Sequence, residues 1–399
     1  MKHLRKDFPI FDKNNLIYCD SAATSQKPRH VIDALVQFYS YENAPVHRGI
    51  YKLAEQATAR YEKVRETIAR FIGAQSASEI IFTKGTTEGI NLIAATWASD
   101  NLQAGDEIVL SQLEHHANIL PWQKLTKTDG VIIRWIPIQA DGTLDLSEIK
   151  TLINHRTKLV AITQSSNSLG TVVDCVPIIK QARAVGARVL IDAAQSVPHQ
   201  KIDVTALDCD FLVFSGHKML GPTGVGVLYI KKELHDTIAP YQLGGSMVFD
   251  VGFEHATWRQ VPYRFEAGTP PIAQVIGLGA AVEYLENNIN FHELQQYEAL
   301  LCEQLIDGLE QIPQISILGP INQLKKTGHL VSFTVDGVHP HDIAAYLDTQ
   351  SICVRAGHHC AQPVHTILAL DSSVRASFYV YNTPEDVERL IQALRKLLL

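Results

Sequence analysis

Residues 209–222, "CDFLVFSGHKMLGP", hold the key to how this chain is built. "CDFLVFS" is apolar almost without interruption, as in a strand covered on both faces. It runs into a glycine-flanked turn carrying His217 and Lys218. A lysine delivered there is either a solvated surface charge or an amine held for chemistry. The sequence around it distinguishes the two.

Working outward, the same kind of run recurs. "EIIFT" (79–83), "DEIVLSQ" (106–112), "VIIRWIPI" (131–138), "KLVAIT" (158–163), "ARVLID" (187–192) and "GVGVLYI" (224–230) are short, β-branched and nearly continuously apolar. Helical spacing fills the intervals, as with Ile90, Ile93 and Trp97. This alternation predicts an α/β fold with a mostly parallel central sheet buried on both faces. After residue 270 the pattern changes. Residues 273–286 read as a nearly all-apolar helix, 292–311 as another, and "GHLVSFTV" (328–335) as a strand. The last helix is marked by Thr383 as cap, Pro384 in its first turn and Asp386 at capping-box spacing. We therefore expect a large domain over 21–288. A smaller α+β domain is expected from 289–399, with 1–20 packed onto it as an N-terminal arm.

The chain's 399 residues are too many for one small core. Hydrophobic residues make up 46% and charged residues 19%, and the net charge is −7. That is a globular composition without the basic footprint of nucleic-acid or membrane-surface binding. No apolar run reaches membrane-spanning length, and the start "MKHLRKDFPIF" has no apolar signal core. Six scattered cysteines do not make a disulfide framework, so the expectation is a reducing cytoplasm.

Five stretches carry chemistry. "TKGTTEGIN" (83–91) opens a helix after a strand, and Gly85, Thr86 and Thr87 there suit either a phosphate cradle or a plain helix cap. "IDAAQS" (191–196) puts Asp192 at the carboxyl end of a strand, where open α/β sheets bind ligands, with Gln195 nearby. Lys218 follows 26 residues later. Lysine, carboxylate and phosphate cradle together are what pyridoxal phosphate (PLP) requires: an imine partner, a partner for the pyridinium nitrogen, and an anion seat. "LEHHANILPW" (113–122) offers an imidazole to stack on a planar ring; a metal site there would need further ligands. "RAGHHCAQP" (355–363) surrounds Cys360 with His358, His359 and Arg355, and nearby positive charge lowers a thiol's pKa. A zinc site joining His339 and His341 to that cluster is the competing reading, but no second cysteine is placed to close a structural tetrahedral site. "SSVRASFYVYN" (372–382) puts Arg375 inside a strand, where it needs an anion: a substrate carboxylate or an internal ion pair.

Taken in order, "DSAATSQKP" (20–28), "VHRGIY" (46–51), "GTTEGIN", "EHHANILPW", "SSNSLGT" (165–171), "DAAQSVPH", "DCDFLVFSGHKMLGPTGVGVLY", "RFEAGTP" (264–270) and "RAGHHCAQP" span essentially the whole chain. Together they resemble the Suf-type (SufS, group II) cysteine desulfurases, class V aminotransferase-like enzymes of PLP fold type I. The resemblance implies a homodimer that converts L-cysteine to L-alanine, leaves a persulfide on Cys360 and supplies sulfur for iron–sulfur cluster assembly. It implies Lys218 as the imine-forming lysine and proton carrier, Asp192 beside the pyridinium nitrogen, Gln195 on the ring oxygen, and His115 stacked on the ring. Thr87, Ser215 and His217, with the backbone of Thr86, would hold the phosphate, and Thr269 would reach the phosphate of the other subunit. Asn167 and Arg375, with Arg355 nearby, would orient the substrate carboxylate. The sulfur acceptor implied is a SufU-like protein carrying zinc, whose metal His341 would help engage, or a SufE-like protein. Rival readings are a selenocysteine lyase, a plain aminotransferase, and a non-catalytic metal-binding sulfur scaffold.

Overall fold

The computed structural model describes residues 1–12 and 15–398. A short strand, β1 (Ile17–Tyr18), ends the N-terminal arm. Seven strands follow: β2 (Ile80–Thr83), β3 (Glu107–Ser111), β4 (Ile132–Ile136), β5 (Thr157–Thr163), β6 (Arg188–Asp192), β7 (Phe211–Ser215) and β8 (Gly226–Ile230). They form one sheet in the order β2-β8-β7-β6-β5-β3-β4. Only β8 opposes its neighbours; β3 to β7 pair in parallel, and β2 runs the same way because both it and β7 are antiparallel to β8. The carboxyl ends of β2, β3, β5, β6 and β7 therefore open onto one edge, bringing Thr83, Ser111, Thr163, Asp192 and Ser215 to the same side. β2, β3, β7 and β8 are buried throughout, as their unbroken apolar runs require.

One expected strand differs. Residues 131–138 read as buried on both faces, but β4 is the sheet's outermost strand and alternates between exposed and half-buried positions until Ile136. With a neighbour on one side only, its outer residues Ile132 and Arg134 have less to pack against.

A hairpin, β9 (Val248–Val251) and β10 (Ala256–Trp258), stands off this sheet, with Phe249, Val251 and Phe253 exposed. The C-terminal part builds a second sheet from β11 (Ile315–Leu318), β12 (Leu330–Val335), β14 (Arg355–Gly357) and β15 (Ser373–Ser377), antiparallel in the order β11-β12-β15-β14; the short β13 (Ile352–Cys353) pairs instead with β1. Helices Phe291–Glu310 and Pro384–Leu397 pack with it around Leu305, Leu309, Leu390 and Leu394. They cross closely: a Cβ on Gly308 would lie 2.3 Å from Ile391 Cδ1. The capping box forms, with Thr383 Oγ1 accepting from Asp386 N and Asp386 Oδ2 accepting from Thr383 N. The N-terminal arm touches both parts. Arg5 bonds Asp386, while Phe8 packs on Tyr381 and on Tyr284 of the apolar helix Ile272–Asn288.

One buried ion pair braces the large sheet. Arg65, 1% exposed, grips both Glu266 oxygens at 2.6 and 2.9 Å, and Glu266 also accepts from Phe82 N of β2. Removing one partner strands the other's charge in a dry environment. Arg65→Met is expected to lower folding stability by about 3–5 kcal/mol. Chemical denaturation of the two proteins checks this, and coincident midpoints would contradict it.

Candidate active site

The open edge of the large sheet and the β14–β15 face of the smaller one enclose a cavity of about 190 Å³. It is lined by Thr86, Thr87, His115, Asn167, Asp192, Gln195, Ser215, His217, Lys218, Arg355, Cys360 and Arg375. Thr269 is not among them; it lines a separate recess with Lys84, Glu266 and Tyr241. Every other residue singled out for catalysis, cofactor or substrate reaches one space, although they are spread from position 86 to position 375.

Lys218 sits in a single helical turn directly after β7. Burial pushes its amine down to about 8, against the opposing pull of Asp192. Asp192 ends β6, 3% exposed, with Oδ1 accepting from Ala194 N. Burial raises its carboxyl; Lys218 counters that rise. His115 starts the turn after β3, and its Nδ1 accepts from Ala117 N, which leaves the ring proton on Nε2. Burial, then Lys218, pushes His115 down to about 3, so the ring is neutral. Ser215 Oγ is bonded to the N–H and the hydroxyl of Thr86, joining the end of β7 to the start of helix Thr86–Ile93. Gly85 permits this approach: φ is +155°, and a Cβ there would sit 3.1 Å from Ser215 Oγ.

On the opposite wall Arg355 and Arg375 are directly opposed across β14 and β15. Like charges facing each other on one sheet face repel. Asp20 answers in part, bonding Arg375 at 3.1 Å, so the internal ion pair weighed from sequence does exist. It does not complete the site, because Arg375 Nε is buried without a partner and burial with Arg355 nearby pushes Arg375 down to about 10. A carboxylate entering between the two arginines supplies the missing acceptor.

Cys360 is exposed, on the segment between β14 and helix Gln362–Ile367. His359 and Cys360 both have positive φ, 52° and 58°. Such a pair persists only when the surroundings hold it. The hold is visible: Cys360 O accepts from His116 N at 2.8 Å, Gln362 N donates to His116 Nε2 at 3.1 Å, and Asn167 Nδ2 donates to His359 O. Asn167, expected on the substrate, is thus already tied to the Cys360 segment. His359 also departs from expectation. Its Nε2 bonds Ser373 Oγ, and burial together with Arg375 pushes it to about 2, so it offers Cys360 no imidazolium. Among the described residues no group of three or more His, Cys, Asp or Glu is placed to hold a metal ion.

Four contributors went unassigned from sequence. Asp20 pairs with Arg375. His116 holds the Cys360 segment. Glu114, fully buried and pushed up to about 8 by burial, accepts from Ser111, Asn118 and Thr163 N, pinning the His115 turn to β5. Lys27 donates to His217 O at 3.0 Å, alongside Ser25 N and Ser25 Oγ, and so fixes the peptide that precedes Lys218. Glu114 and Lys27 fall inside "EHHANILPW" and "DSAATSQKP", but a charge in a loop motif reads the same whether buried or solvated.

The donor set fits PLP. Gln195 Nε2 donates to Ala22 O in the cavity that holds Asp192 and Lys218, which leaves its second N–H for a ring oxygen, and the Thr86–Ser215 corner offers hydroxyls at a helix N-terminus. The comparisons agree. The family model described as Aminotransferase class-V matches residues 17–390. The chain is 47% identical to a protein of Halalkalibacterium halodurans named probable cysteine desulfurase, over 98% of this chain and 97% of that one. It superposes on the apo cysteine desulfurase of Thermococcus onnurineus NA1 with a TM-score of 0.95 and 42% identity, covering 99% and 97%. A mutant of C-DES with glycine covalently linked to its PLP cofactor matches with a TM-score of 0.84 and 26% identity, covering 98% of each chain.

Proposed function

This chain belongs to the aminotransferase class-V family, and on that premise we propose how its cavity works as a cysteine desulfurase with pyridoxal phosphate as cofactor. The observation that carries the reading is one cavity holding a buried lysine–aspartate pair, two opposed arginines and a single thiol. The test is L-alanine release from L-cysteine in the presence of a reductant. Alanine and sulfide in equal amounts are expected; an α-keto acid in place of alanine would point to a transaminase. Parallel turnover on selenocysteine separates the selenocysteine lyase reading.

When bound, the cofactor supplies an electron sink for negative charge at the substrate's α carbon. Asp192 is the carboxylate for its ring nitrogen, Gln195 the partner of its ring oxygen, and Thr86, Thr87, Ser215 and His217 the seat of its phosphate. Arg375 and Arg355 orient the substrate carboxylate, with Asn167 beside them. Lys218 Nζ carries the α proton. Neutral His115, with its proton on Nε2, shares proton transfer on the other wall. The Cys360 thiolate attacks the substrate sulfur: the Sγ–S bond forms as the Cβ–S bond breaks. The electron pair stays on carbon, which takes a proton to become the methyl of alanine. Cys360 is left as a persulfide, its sulfur oxidised as the substrate carbon is reduced.

Cofactor uptake carries a pH signature. Only the neutral amine attacks an aldehyde, and its fraction grows as pH rises through the Lys218 value of about 8. The rate of PLP capture by the apoprotein is expected to rise roughly tenfold from pH 7 to pH 9 and then level. A flat profile in stopped-flow absorbance would contradict this.

The protein works as a homodimer in this reading. The exposed apolar side chains of Phe249, Val251 and Phe253 on the hairpin support it, as do Ile50 and Tyr51. Thr269, outside the cavity of its own chain, then serves the partner's phosphate. The persulfide passes to a SufU-like or SufE-like acceptor for iron–sulfur assembly in the cytoplasm. No helix among the described residues is long and apolar enough to cross a membrane. His341 lies across from Gly357, three residues before Cys360, and is our candidate contact to a metal on the acceptor. His341→Ala is expected to reduce acceptor-stimulated turnover severalfold with basal activity retained; unchanged stimulation would discard that role.

A further inference from the structure

Behind the catalytic cavity lies a second, much smaller pocket of about 10 Å³. Ser165 and Gln195 line both spaces. The far wall is a cluster of titratable side chains with no place in the mechanism above. His199 and His329 stack with ring centroids 3.9 Å apart, and His199 Nδ1 bonds Glu298 Oε1 at 2.8 Å. All of these groups are deeply buried: Ser165 3%, Gln195 3%, His329 2%, His199 7% and Glu298 1% exposed.

Three of the residues that line this small pocket each carry a buried side-chain atom with no hydrogen-bond partner: Ser165 Oγ, Gln195 Oε1 and His329 Nε2. Several neighbouring polar atoms are engaged. Ser196 Oγ donates to Ala193 O, Gln200 Oε1 accepts from Gln295 Nε2, and Glu298 holds His199. Buried polar atoms are as a rule satisfied, by protein or by ordered water. A pocket holds a water when about 10–15 Å³ is open to its centre and two to four polar partners surround it. The volume reaches the lower bound for one molecule, and the lining residues carry three unpartnered polar atoms. The donor count closes as well. Ser165 Oγ–H donates to the water, and the water's two hydrogens go to Gln195 Oε1 and to an unprotonated His329 Nε2. Burial holds the His329 ring neutral, as this requires.

We propose that this pocket is a binding site for one structural water, which joins Gln195 and Ser165 to His329 and makes His329 a positioning residue for the cofactor's ring. The water fixes the Gln195 amide, whose Nε2 already donates to Ala22 O on the rim of the catalytic cavity. His199, stacked on His329 and clamped by Glu298, keeps the imidazole from turning away. The positioning role rests on Gln195 being the partner of the ring oxygen; the water site does not.

The test is a crystal structure of the holoenzyme at a resolution that shows waters, with His329→Leu and His329→Gln alongside. Density for one water within hydrogen-bond distance of all three atoms is expected in the wild type. It should persist in His329→Gln and vanish in His329→Leu. His329→Leu should also shift the visible absorption band of the bound cofactor and lower kcat/KM about tenfold, with His329→Gln largely restoring both. A wild-type pocket without a water overturns the proposal, and needs no variant to fold. A water present in all three, with an unchanged band, removes His329 from the positioning role. Should Gln195→Leu leave the band unmoved while the water is seen, the fault lies in assigning Gln195 to the ring oxygen.

Discussion

Cys360→Ala is expected to lower L-alanine formation by on the order of 10³-fold or more while the protein keeps its yellow cofactor. The loss should be large because no other thiol reaches the reacting sulfur. Of the six cysteines, four are fully buried and Cys353 is half-buried; only Cys360 lines the cavity. Water cannot take its place, since the step forms a sulfur–sulfur bond. The substitution removes one exposed atom at a surface segment, so folding and cofactor absorbance should be unaffected. Alanine release and the visible band, measured on the same preparation, check both halves. Wild-type rates in the variant would return the site to a different PLP reaction.

Lys218→Ala should be at least as damaging, by a different route. Lys218 is the amine set against Asp192, and removing it deletes both the imine partner and the carrier of the α proton. Proton transfer by a positioned side chain alone contributes about 10²–10⁴-fold. Activity is therefore expected to fall below detection in an ordinary assay, and dialysis should strip the cofactor. The two variants are diagnostic as a pair. Cys360→Ala should still bind L-cysteine and perturb the cofactor spectrum, stalled before sulfur transfer. Lys218→Ala should show no lysine-linked band from the start. If Lys218→Ala retained both the band and measurable turnover, the amine would have to come from elsewhere, and the cavity offers none: its other cations are Arg355 and Arg375.

The strands of the large sheet were legible because burial on both faces leaves an unbroken apolar run, as in β2, β7 and β8. The place of a strand in its sheet was not. β4 reads like its neighbours, yet its edge position exposes Ile132, and the reversed direction of β8 leaves no trace in composition. At the site, chemistry carried by residue type was legible: Lys218, Asp192, Cys360 and Arg375 each follow from what a lysine, acid, thiol or buried guanidinium is for. Roles defined by a distant contact were not. Lys27 acts across 190 residues, Glu114 across 49 and Asp20 across 355.

What the sequence determined alone, then, was the inventory and its order: which reactive groups exist, that Asp192 and Lys218 stand at the end of a strand or in the turn after it, and that Arg375 lies inside one. Hydrophobic periodicity and turn chemistry are local, so they are written locally. The tertiary structure decided which groups meet, which are charged and which are already engaged. It turned His359 away from Cys360 to Ser373, tied Asn167 to the Cys360 segment, left Thr269 outside the cavity, and set the protonation of His115 and Glu114 by burial. These outcomes depend on desolvation and on contacts between segments hundreds of residues apart, and neither quantity exists until the chain has folded.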